Sequence, residues 1–129
     1  MTTQEFEIKA TENVREIINY ISKKEYSKLH TITNINSSWC SDGETQIEGM
    51  KSFCEWLTDQ LEIWSEDEEK EFVIDKFDKE FVEINVINSN YAFAIFKPKS
   101  NGEEIDLWFE IKFTINENNQ LSSEFDVNI

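Results

Sequence analysis

A chain of 129 residues is long enough for one hydrophobic core and too short for two ordinary domains, so a single domain over residues 1–129 is expected. Ten Phe, four Trp and three Tyr within a 39% hydrophobic fraction exclude a disordered chain as the natural reading, despite 30% charged residues. With 12 Lys and Arg against 27 Asp and Glu, the formal charge of −15 repels phosphate backbones and anionic lipid heads; it argues against nucleic acid and membranes and favours encounter with a basic protein.

Over residues 4–24, Val14, Ile17, Ile18 and Ile21 recur at helical spacing, with Glu12, Arg15, Glu16 and Asn19 turned away, which predicts an amphipathic first helix. Tyr26, Leu29 and Ile32 predict a shorter second helix that fades into the β-branched, Asn-rich TITNINSSW. Ser41, Asp42 and Gly43 signal a turn, and Thr45 stands three residues before Glu48, the spacing of a capping box. A long helix should start there, carrying the apolar stripe Ile47, Met50, Phe53, Cys54, Leu57, Leu61 and Trp64. The acidic run Glu66, Asp67, Glu68 and Glu69, with Glu71 after it, is unfavourable near a helix C-terminus and reads as an exposed connector.

Beyond that run the period changes from helical to alternating. Strands are expected over 72–77 and 81–87, then a turn at 88–90 and a returning antiparallel strand over 91–97, with Tyr91, Phe93 and Ile95 on one face. After a loop at 98–102, Ile105, Leu107, Phe109, Ile111, Phe113 and Ile115 alternate with polar residues to give one core face, and a hairpin at 116–119 leads to a last strand carrying Leu121, Phe125 and Val127. The expected fold class is therefore α+β, with N-terminal helices packed on a mostly antiparallel sheet.

Chemistry-bearing motifs are sparse. Cys40 and Cys54 lack the spacing of a zinc site or a disulfide framework, and read as free cytosolic thiols. The acidic run lacks the Gly turn and spaced ligands of a calcium loop, and glycines 43, 49 and 102 are too scattered to cradle a phosphate, so neither metal nor cofactor is expected. The opening MTTQEFEIKATENVREI turns charged at once, without the apolar stretch of a signal peptide, which points to a cytoplasmic protein. His30 is the lone histidine, one residue from Leu29 and four from Tyr26; unpartnered, such a residue is more often packed or solvated than catalytic. No GxSxG elbow supplies a nucleophile.

Three stretches carry a family resemblance: NVREIINYISKKEYSKLHTI, SSWCSDGETQIEGMKSFCEWL and LWFEIKFTINENNQLSSEFDV. In order they are similar to the opening helix and short helix, the strand, Gly turn and long helix, and the closing hairpin of the nuclear-transport-factor-2-like superfamily, which includes SnoaL-like polyketide cyclases and ketosteroid isomerases. The resemblance spans nearly the whole chain and is one of ordering. It implies a cystatin-like, cone-shaped roll whose open end can form a pocket. No Asp and Tyr pair, or Asp and His pair, aligns onto this chain, and function has to be argued from the site.

Two functions of different classes follow. The first is a non-catalytic acidic binding protein, in its most concrete form a bacterial immunity protein neutralising a basic toxin. Glu66, Asp67, Glu68, Glu69 and Glu71 would steer the partner, and Trp64 and Phe72 would anchor it. The alternative is a SnoaL-like small-molecule binder, isomerase or cyclase. Its pocket would hold Trp39, Trp108, Glu110 and Asp126, with Glu110 or Asp126 as a general base of raised pKa and His30 as a further acid/base candidate. A plainer reading of the Glu110 face is a solvated sheet surface. A homodimer through the outer sheet face fits either function.

Overall fold

The computed structural model describes residues 2–129. Its first helix, α1 (Thr3–Ser22), begins where the Thr2 hydroxyl accepts the Glu5 N–H at 3.1 Å, and it buries Phe6, Ala10, Val14, Ile17, Ile18 and Ile21, the stripe that helical spacing predicts. The expected second helix is a tighter 3₁₀ turn over Tyr26–Thr31 that buries only Leu29. Too few apolar residues line one side for a longer helix to repay its nucleation.

The second long helix, α2 (Gln46–Glu68), opens on the predicted capping box. The Thr45 hydroxyl accepts the Glu48 N–H at 3.2 Å while the Glu48 carboxylate accepts the Thr45 N–H at 3.3 Å. Thr45→Ala is expected to cost about 1 kcal/mol of stability, readable as a lower midpoint in urea unfolding with an unchanged slope. Two expectations about α2 are corrected. Ile47 is 60% exposed rather than part of the buried stripe. The helix also runs through Glu66, Asp67 and Glu68 and ends only at Glu69, whose left-handed backbone (φ 53°) stops it. These carboxylates are solvent-exposed, so water and salt screen their conflict with the helix dipole and the last turn survives.

Five strands form an open sheet in the order β1-β7-β6-β3-β2: β1 (Asn34–Ile35), β2 (Val82–Val86), β3 (Tyr91–Phe96), β6 (Trp108–Ile115) and β7 (Leu121–Asn128). Every pair is antiparallel except β1 with β7. A separate two-stranded ribbon, β4 (Lys99–Ser100) with β5 (Glu103–Glu104), begins inside the loop expected at 98–102 and extends two residues beyond it. Residues 105–107 precede β6 rather than belonging to it, although Leu107 is buried with the predicted core face.

The expected strand over residues 72–77 is absent. Its backbone is satisfied singly instead of by a ladder: Phe72 N–H bonds Ser65 Oγ, Val73 N–H bonds Ser100 Oγ, Asp75 N–H bonds the Lys99 carbonyl and Phe77 N–H bonds Asn19 Oδ1, all at 2.8–2.9 Å. Aromatic and β-branched composition mimics a strand here while side chains accept three of these four bonds.

Cross-strand partners sort the sheet's faces. Ala92, Ala94 and Phe96 of β3 stand opposite Phe113, Ile111 and Phe109 of β6, all buried in one core cluster with both long helices. The outer face carries Ile95, Glu110 and Asp126 in one row, and Phe93, Lys112 and Glu124 in the next. Tyr91, Phe93 and Ile95 therefore share a face, the half-buried outer one. Within the core the rings of Phe53, Phe109 and Phe125 meet edge-on or tilted at 5.0–6.4 Å.

Candidate functional site

The end of α2 and the chain returning from it build a hollow. Ser65 ties them together, its hydroxyl donating to the Leu61 carbonyl at 2.7 Å and accepting the Phe72 N–H. Residues 71–75 then lean on the β4-β5 ribbon, where Asn101 Nδ2 donates to the Glu71 carbonyl at 3.1 Å and the Asp75 carboxylate accepts the N–H groups of Asn101 and Gly102 at 2.8 Å each. Asn101 and Gly102 both have positive φ, the turn conformation that presents two successive N–H groups to one carboxylate.

Between these walls lies a concavity of about 570 Å³. Trp64, Glu68, Glu71 and Phe72 line one side, and Glu103, Glu104, Ile105 and Asp106 the other. The Trp64 and Phe72 rings pack at 5.8 Å. Five carboxylates in this lining face a single ammonium, Lys70, which is paired with Glu103 at 2.7 Å and stands 5.5 Å from the Phe72 ring centre. The hydrogen bond between the two lowers the Glu103 pKa and raises that of Lys70. Both side chains are about half exposed or more, so the pair adds little to stability and leaves the site's excess negative charge in place.

The structure thus brings together Trp64, Glu68, Glu71 and Phe72, four of the residues that the sequence nominates for partner binding. Glu66, Asp67 and Glu69 are exposed around the helix end without lining the hollow. Glu103, Glu104, Ile105 and Asp106 are the part that sequence reading missed; their acidic pattern beside Gly102 is visible, but its meeting with the end of α2 is a tertiary event.

The other candidates are dispersed. Glu110 is exposed on the outer sheet face, where the Trp108 indole N–H approaches it at 3.4 Å. Asp126, its cross-strand neighbour, accepts the Trp39 indole N–H at 2.8 Å and its own neighbour's backbone N–H, from Val127, at 2.8 Å. Trp39 in turn packs edge-on against Phe53 and Trp56, both at 5.6 Å. Asp126 is therefore a structural acceptor for a packed indole, and Glu110 lies on the opposite side of the sheet from the buried phenylalanines. Trp39, Trp108, Glu110 and Asp126 line neither this hollow nor the grooves beside His30 and beside residues 73–81.

His30 is exposed and borders an apolar groove of about 680 Å³ with Tyr26, Ile47, Met50 and Cys54. Burial pushes the Cys54 thiol up to about 12, with Glu55 adding to the shift, so Cys54 is protonated at neutral pH. It should resist iodoacetamide at pH 8 in the native protein and react only on unfolding, which mass spectrometry of the alkylated chain would read. Among the described residues no group of three or more His, Cys, Asp and Glu is arranged to hold a metal ion, and no helix is long and apolar enough to cross a membrane. Compared with known proteins, the chain matches no family model, no curated protein and no solved structure.

Proposed function

We propose that this protein is a non-catalytic acidic binding protein whose hollow at the end of α2 receives a basic protein partner. The observation that carries the reading is the lining itself: five carboxylates against one ammonium around a packed Trp64–Phe72 pair. Complementary charge speeds encounter and selects the partner's sign, while a partly buried aromatic pair supplies the desolvated contact that holds it. A cytoplasmic immunity protein that neutralises a cationic toxin is the most concrete form of this reading, and the order of the elements supports kinship with the nuclear-transport-factor-2-like roll.

An isomerase or cyclase would need a carboxylate inside apolar walls. The exposed position of Glu110 and the ring-filled core give that alternative no specific support. To test the binding reading, tagged protein would be incubated with extract of its source at low salt and eluted with rising salt, the eluate being identified by mass spectrometry. The reading predicts one strongly basic protein released as ionic strength increases; recovery of none, or only of partners indifferent to salt, would overturn it.

A further inference from the structure

Cations on this acidic chain are gathered as well as scarce. Of the 12 Lys and Arg, four line one groove of about 1110 Å³ between α1 and the segment 73–81: Arg15, Lys76, Lys79 and Lys99. Two acids share the lining, Asp75 and Asp78, and both carboxylates are occupied by backbone N–H groups. Asp75 holds Asn101 and Gly102 at 2.8 Å, and Asp78 holds Glu80 at 3.0 Å. Arg15 is paired with Glu12, whereas among the described residues Lys76, Lys79 and Lys99 form no ion pair.

Aromatic surface backs these charges. Phe77 stacks on Phe96 at 5.6 Å with 24° between the rings, and the Lys99 ammonium stands 4.1 Å from the centre of the Phe81 ring. The groove therefore offers ring faces beside ammonium groups, the converse of the acidic hollow, whose lining shares no residue with it. At physiological salt the screening length is about 8 Å, so a ligand seated here responds to the lining charges more than to the remote acids.

We propose that this groove binds an anionic aromatic small molecule, its ring against Phe77 and Phe81 and its carboxylate, sulfonate or phosphate among Lys76, Lys79 and Lys99. Stacking and hydrophobic burial hold the ring, and charge-assisted hydrogen bonds hold the head group. This ligand class lies beyond the protein-binding function proposed above and uses a different surface.

The test titrates the full chain with 8-anilinonaphthalene-1-sulfonate and follows its fluorescence. The expected result is saturable one-to-one binding, competed by 2-naphthoate but not by the neutral 2-naphthalenemethanol. Exchanging two attracting charges for repelling ones in Lys76→Glu/Lys79→Glu should weaken binding about tenfold or more. Lys51→Glu, beside the apolar groove at His30, should leave it unchanged. Amide shifts of the unaltered protein on adding 2-naphthoate locate the site independently of any variant, and should concentrate in residues 73–81 and 96–102. Absence of saturable binding, shifts centred elsewhere, or loss in the Lys51 variant but not in the double variant would overturn the proposal.

Discussion

Phe53→Ala is expected to destabilise the protein by about 3–5 kcal/mol, a large part of the roughly 5–15 kcal/mol that holds a domain of this size together. Phe53 is fully buried and touches three aromatic rings from three parts of the chain: Trp39 at 5.6 Å, Phe109 at 6.4 Å and Phe125 at 5.0 Å. Truncation removes the transfer free energy of the ring, leaves a cavity that strand-borne neighbours cannot collapse into, and ends these edge-to-face contacts. Urea unfolding followed by Trp fluorescence and far-ultraviolet circular dichroism would measure it. A loss below about 1.5 kcal/mol would mean that the rings do not interlock as described.

Gly49→Ala sets two effects of opposite sign against each other. Inside α2, alanine should gain about 1 kcal/mol from helix propensity. Gly49 is buried, however, where the chain after β1 crosses the helix, and an added methyl would clash with Cys40 Sγ while crowding Ile35 Cγ2 at 3.2 Å and the Trp39 carbonyl oxygen at 3.3 Å. Overpacking of this kind costs about 1–3 kcal/mol, and here one obstacle is backbone, so steric cost wins and a net loss of about 1–2 kcal/mol is expected. Cys40→Ala in the same chain should restore part of the loss, since it removes the closest atom. A Gly49→Ala protein more stable than the unaltered one, in the same urea assay, would show that the crossing is looser than its geometry.

Helical periodicity made α1 and the start of α2 legible, because burial along them follows one stripe and the Thr45–Glu48 box is written in local spacing. Strict alternation likewise revealed the core face of β6 from Phe109 to Ile115. Residues 72–77 were misread because Ser65, Ser100 and Asn19, which lie 7, 27 and 58 residues from their partners, take bonds that a neighbouring strand would otherwise make. The end of α2 was misread because the rule against acidic C-termini outweighed the solvent exposure that weakens it. Half of the hollow could be read from the acidic run and its flanking aromatics; the other half, 103–106, joins it only through contacts such as Asn101 with Glu71, thirty residues apart.

The most direct test of the central claim compares capture of a basic partner by the unaltered protein, by Glu71→Lys/Glu104→Lys in the hollow and by Glu7→Lys/Glu16→Lys on the exposed face of α1. Both double variants shift the net charge equally, so bulk charge cannot separate them. Docking in the hollow predicts that the first variant loses the partner while the second retains it at moderate salt. Equal loss from both variants, or undiminished capture by the first, would contradict the hollow as the binding site.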